Sequence, residues 1–169
     1  MFHCFCIIAI DPSRKLKYRN IGDSAFIIVR NNEIKHESII NPKMPNAPYC
    51  LSLCFDPGHR SCLHDRSVDS TSGEFQLEPG DVVISCTDGV WDQYPNKQDL
   101  VDDILQNLNA QEEDNILQNL KNLEDFNAQE IANYMREKIA EVHRGPGPVT
   151  KGSKKGNKDD ASITVIIIK

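Results

Sequence analysis

The run Ser162-Ile163-Thr164-Val165-Ile166-Ile167-Ile168 constrains the fold more than any other segment. It is β-branched without alternation, which suits a strand buried on both faces, and a strand needs partners to exist at all. The candidate partners stand far upstream, with two helical segments between. Phe5 to Ile10 is a short apolar run closed by Asp11-Pro12, Tyr18 to Ile21 reads as a second strand, and Ala25 to Arg30 is rich in Ile and Val. Asn31-Asn32 tolerates positive φ before Glu33 to Ile39 returns, a hairpin signal. Glu74 to Leu77 and Val82 to Thr87 flank the turn Glu78-Pro79-Gly80-Asp81. Strands, then helices, then a returning strand make an α+β domain with antiparallel sheet.

After Pro95 the period becomes helical. Asn96 is placed as an N-cap with Asp99 at the third helical position, and Leu100, Val101, Ile104, Leu105 and Leu108 form one apolar stripe. Asn127 with Glu130 reads as a capping box ahead of Ile131, Tyr134, Met135, Ile139 and Val142. Ile-Leu-Gln-Asn-Leu recurs at 104–108 and 116–120, and Asn-Ala-Gln-Glu at 109–112 and 127–130. The two offsets differ, so the repeats read as a local duplication lengthening a helical hairpin. Residues 41–72, punctuated by Pro42, Pro45, Pro48 and Pro57, read as an irregular insert, and 144–158, rich in Gly, Pro and Lys, as a mobile loop.

Charge excludes one class of partner. Lys plus Arg number 19 against 25 Asp plus Glu, a net −6, so the broad positive field of a non-specific nucleic-acid binder is absent. The lysines after Lys151 read as a solvated loop. No apolar run reaches the length of a membrane span, and residues 1 to 10 lack the basic flank of a signal peptide. The six Cys read as thiols in a reducing, intracellular compartment.

Three acids occupy comparable places: Asp23 before a strand, Asp88 after one, Asp159-Asp160 before the last. If the strand ending at Asp88 runs antiparallel between the other two, all three carboxylates fall on one sheet edge. Clustered carboxylates repel unless a cation sits among them, and oxygen donors favour Mg2+ or Mn2+. Against this stands the plain alternative that Asp-Gly and Gly-Asp-Ser are common turn peptides.

Asn20-Ile21-Gly22-Asp23-Ser24, then Gly80 to Asp92 with Thr87-Asp88-Gly89-Val90-Trp91-Asp92 at its centre, then Asp159-Asp160-Ala161-Ser162, resembles the metal-dependent protein phosphatase 2C family in motif and order. Asn46-Ala47-Pro48-Tyr49, Leu51-Ser52-Leu53 and Pro57-Gly58 resemble its mitochondrial and T-cell-activation-type branch. The resemblance implies a β-sandwich flanked by helices in four layers, helix–sheet–sheet–helix, with Mg2+ or Mn2+ at one edge. It implies that Asp88 and Asp159 bind metal, with Asp160 as the alternative ligand on a one-residue slip. Asp23 would stand behind them or help hold a further ion. The activity implied is hydrolysis of phosphoserine and phosphothreonine in proteins by a metal-activated water. The family's phosphate-binding Arg and its metal-bridging Asp-Gly have no counterpart here. The chain therefore resembles the carboxyl-terminal half of a catalytic domain, incomplete over residues 1–169. The alternative function is an inactive fragment that binds or regulates, associating through unpaired sheet. The compartment implied is mitochondrial or cytoplasmic.

Two further signals stand apart. Cys50, Cys54, His59, Cys62 and His64 meet the ligand count of a zinc site but in no common zinc-module spacing, so ordinary loop thiols are the competing reading. Trp91 and Tyr94 read as core residues.

Overall fold

The structure, a computed structural model, describes residues 2–40, 42–44, 47–48, 51–52, 67–94, 96–110, 121–144 and 161–169. In chain order its elements are β1 (Phe2–His3), β2 (Phe5–Ile10), β3 (Lys15–Ile21), β4 (Ala25–Arg30), β5 (Glu33–Glu37), β6 (Pro42–Met44), β7 (Ala47–Pro48), β8 (Leu51–Ser52), β9 (Thr71–Gln76), β10 (Val82–Cys86), α1 (Asp88–Trp91), α2 (Lys97–Ala110), α3 (Ala128–Arg144) and β11 (Ile163–Ile167). Two antiparallel sheets carry the architecture, one ordered β11-β10-β4-β5 and the other β2-β3-β9. Within the expected irregular insert, β6 pairs with β7 and β8 pairs with β1.

Alternation along the two central strands explains the layering. Ala25, Ile27 and Val29 of β4, with Val82, Ile84 and Cys86 of β10, pack against the apolar stripes of α2 and α3. The intervening Phe26, Ile28 and Val83 turn the other way, onto Leu16, Tyr18 and Leu77 beside the second sheet. The result, among the described residues, is helices on sheet on sheet, three of the four expected layers. β4 is buried along both faces up to Arg30. β11 corrects the sequence reading. Its run is as apolar as a doubly buried strand, yet it lies at one end of its sheet, and Ile163, Val165, Ile166 and Ile167 are only half-buried among the described residues. Residue composition reports what a strand tolerates, and position in the sheet decides how much of it is covered.

Turn chemistry sets the registers. Asn31 and Asn32 have φ of 51° and 63°, the pair of left-handed residues that a two-residue hairpin demands, and Arg30 lies opposite Glu33. Pro79 precedes Gly80 at φ 91°, and the Asp81 N–H donates to the Glu78 carbonyl at 3.1 Å, meeting the type II requirement. At this end of the sheet Asp81 is 0% exposed. It accepts Arg30 Nε at 2.6 Å, Arg30 Nη2 at 2.8 Å and the Glu78 N–H at 2.8 Å. Every donor that this carboxylate needs is supplied, so losing Arg30 would strand a buried charge at a cost of about 3–5 kcal/mol.

Both helix starts follow the sequence signals. Gln98 donates its N–H to Asn96 Oδ1, and Asn127 and Glu130 exchange side-chain to backbone bonds at 2.9 and 3.0 Å, a complete capping box. Residues 111–120, which hold the second Ile-Leu-Gln-Asn-Leu, and 145–158 of the expected loop lie outside the described residues.

His36 on β5 sits among the rings of Tyr18, Phe26 and Phe75, with centroids 5.2 to 5.7 Å away. Its Nε2 is sealed from solvent and has no hydrogen-bond partner among the described residues. Desolvation holds its pKa below the ordinary 6.5, against the opposing pull of Glu37. The unfolded chain therefore takes up this proton first, and stability falls as pH drops through the unfolded value, levelling off below the folded one. Chemical unfolding at about pH 7.5 and about pH 5.5, either side of the histidine range, should show this loss, and His36→Phe should reduce it. An unchanged pH profile in the variant would contradict the assignment.

Candidate metal centre

The site is built by register. Cys86, the last residue of β10, lies opposite Ala25, the first of β4, and opposite Ile163, the first of β11. Two residues beyond each of these strand ends stand Asp23, Asp88 and Ala161. The antiparallel condition set by the sequence is met, and Asp23 and Asp88 share one edge. Asp159 and Asp160 lie just outside the described residues, as do Cys50, Cys54, His59, Cys62 and His64.

Asp23 follows Gly22, whose φ of 108° favours glycine. A Cβ at Gly22 would come within 2.5 Å of Cys4 Cβ and Sγ, so the chain turns the corner against the Cys4 side chain with no room to spare. Asp23 is half-buried, and no hydrogen bond or ion pair holds its carboxylate among the described residues. Asp88 is half-buried as well and opens α1, where the Gly89 N–H donates to its Oδ1 at 2.9 Å. Thr87 precedes it in extended backbone. The Thr87 hydroxyl accepts the Ser162 N–H at 3.0 Å while its own N–H donates to the Ser162 carbonyl at 3.2 Å, which fixes the start of β11 beside Asp88. The buried Trp91 indole N–H donates to the carbonyls of Cys86 at 2.9 Å and Ala25 at 3.2 Å. Gln93 Nε2 donates to the Gly89 carbonyl at 2.8 Å.

A cleft of about 250 Å³ opens at this edge, lined by Cys4, Cys6, Ser24, Ser85, Thr87, Ser162 and Thr164 among others. A narrower one of about 190 Å³ continues between the sheets past Ile8, Val83 and Ile166. Two of the thiols at this edge are shifted away from the thiolate form. Burial pushes Cys86 up to about 12, and it raises Cys6 too, with a hydrogen bond from Ser85 only partly opposing. At neutral pH both are protonated, so neither offers the thiolate that covalent phosphoryl chemistry or soft-metal binding needs.

The donors present are carboxylate and hydroxyl oxygens, the set that a hard divalent ion takes. Asp23 and Asp88 are the carboxylates that the register brings to this edge, each two residues beyond a paired strand end. Among the described residues no three acids, histidines or cysteines group closely enough to hold a metal by themselves. Sequence reasoning placed Trp91 and Tyr94 in the core. Trp91 is there, but its N–H has a specific task that the sequence did not announce. Tyr94 is half-buried, and its hydroxyl shares Asp103 Oδ2 with the Tyr134 hydroxyl, each at 2.9 Å, joining α2 to α3 and to the loop after α1. Burial and the Asp103 charge push both phenols up.

Comparison with known proteins identifies the family and the fold. The family model for Stage II sporulation protein E (SpoIIE) matches residues 1–169. The protein phosphatase PTC7 homolog of Homo sapiens is 29% identical over 139 residues, covering 82% of this chain and 40% of that protein. The PTC7 homolog of Danio rerio is 34% identical over 92 residues, 54% of this chain and 31% of that protein. Among solved structures, the photosystem II phosphatase PBCP superposes with a TM-score of 0.64 at 17% identity, covering 98% of this chain and 64% of that one. The phosphatase domain of SpoIIE from Bacillus subtilis gives 0.51 at 17% identity, covering 98% and 58%. At these identities the structures establish the fold. The chain spans about a third to two fifths of the length of the curated relatives it matches.

The Gly22 corner is directly testable. Gly22→Ala should destabilise the fold by about 1–3 kcal/mol, the usual cost of a residue forced into such backbone, read as a lower urea midpoint. A midpoint equal to that of the parent chain would show that the corner tolerates a side chain.

Proposed function

The chain belongs to the PPM/PP2C (SpoIIE) family, on its PTC7-homolog branch, and from that premise we propose that it forms part of a metal-dependent protein serine/threonine phosphatase. The observation that supports this reading is the β4–β10–β11 register, which brings Asp23, Asp88 and the start of β11 to one edge. In this proposal Asp88 and Asp159 hold Mg2+ or Mn2+, Asp160 is the alternative ligand, and Asp23 stands ready behind them. Bound there, the ion supplies an activated water for attack on phosphorus and charge neutralisation for the phosphoryl oxygens. The chain's own residues do the rest. Thr87 and Trp91 hold the carboxylate-bearing strand ends together, Gly89 N–H orients Asp88, and the hydroxyl-lined cleft admits the phosphorylated side chain of a protein substrate.

A second reading rests on a separate observation. β2 has one neighbour among the described residues, and its Phe5 and Ile7 are 42% and 61% exposed. An apolar, uncharged edge strand is a pairing surface, so the chain can serve as a binding module that joins its sheet to another polypeptide. Mn2+-dependent release of phosphate from a phosphothreonine peptide separates the two readings. The phosphatase reading expects turnover that Asp88→Asn and Asp159→Asn each abolish, in this chain or in a longer one that contains it. Turnover surviving both substitutions would overturn the site. Absence of turnover together with a sedimentation mass above the monomer would favour the binding module.

A further inference from the structure

We infer that Trp91 is a positioning residue, whose indole N–H sets the separation of Asp23 and Asp88. The inference rests on the metal-centre reading above. One buried N–H donates to two carbonyls at once, Cys86 at 2.9 Å and Ala25 at 3.2 Å. These carbonyls belong to residues paired across the last rung of the β4–β10 ladder, and each lies two residues from one of the carboxylates. A core tryptophan needs one acceptor to be buried without penalty. Sharing the donor across two strands adds a cross-tie where the ladder stops and the chains are free to splay.

The ring is itself held. Trp91 is 6% exposed within the helix-side core, and the Lys97 ammonium lies 5.5 Å from its ring centroid while pairing with Glu37 of β5. The donor therefore has a fixed origin, set by the short helix that Asp88 begins. The cross-tie joins the corner carrying the Asp23 carboxylate, unpartnered among the described residues, to the helix start carrying Asp88.

The test reads metal proximity residue by residue. The 15N-labelled full chain is titrated with Mn2+, and paramagnetic broadening is followed at the amides of residues 22–24 and 87–89. In the parent chain both groups should broaden over one Mn2+ range, and Asp88→Asn should abolish the effect. Trp91→Phe keeps an aromatic ring and removes the N–H. In it the Mn2+ midpoint should rise about tenfold, the usual effect of losing a group that orients a ligand, and the 22–24 amides should broaden less relative to 87–89 than in the parent. Equal broadening of both groups in Trp91→Phe and parent would overturn the positioning role and leave the metal centre standing. No broadening at either group in the parent chain would overturn the metal-centre reading and the inference with it. If Trp91→Phe loses its dispersed spectrum, benzothienylalanine at position 91 replaces N–H by sulfur at nearly constant shape, and the same two outcomes decide.

Discussion

Everything distinctive in this molecule depends on β10 running antiparallel to both of its neighbours. Cys86 faces Ala25 and Ile163 at one end, and Val82 faces Val29 and Ile167 at the other. Because side chains alternate, that register divides β4 and β10 between two cores, one under the helices and one between the sheets. A slip of one residue would exchange the two sets and present each core with the wrong side chains. The same register sends Asp23 and Asp88 to one edge and the Arg30–Asp81 pair to the opposite end. The two ends then diverge in character. Asp81 is fully supplied with donors, whereas the Asp23 carboxylate has none among the described residues. A satisfied carboxylate anchors structure, and the Asp23 carboxylate at the other end is left to solvent or to a ligand.

Local chemistry made much of this fold legible in the sequence. Asn31-Asn32, Pro79-Gly80, the Asn96 cap and the Asn127–Glu130 box are short-range devices, each satisfied within a few residues, and each appears where the sequence placed it. The antiparallel placement of the aspartates was conditional on strand pairing, and the pairing met the condition. What escaped were features decided at long range. β11 reads as doubly buried because composition cannot say whether a strand will lie inside a sheet or at its end. α1 was hidden because Thr87-Asp88-Gly89 is also a good turn. The two-carbonyl bond of Trp91 and the shared Asp103 of Tyr94 and Tyr134 join residues that come together only after packing. The second acidic ligand position and the Cys/His cluster fall outside the described residues, so the sequence argument for them stands where it began.

The chemistry of the edge also narrows the reaction. Burial raises the pKa of Cys6 and Cys86, which disfavours their thiolate forms. Carboxylates and hydroxyls remain, a set suited to hard-ion chemistry. Family membership and the register point the same way from independent premises, one from whole-chain similarity and the other from strand pairing. The chain covers less than half of each curated relative.

The claim that strand register gathers carboxylates around a divalent ion is tested most directly by anomalous diffraction from Mn2+-soaked crystals of the chain. The account predicts an anomalous peak at the β4–β10–β11 edge, within about 2.0–2.5 Å of an Asp88 carboxylate oxygen, the bond length of hard divalent ions. Ordered density for Asp23 and Asp88 with no anomalous peak at that edge would contradict it.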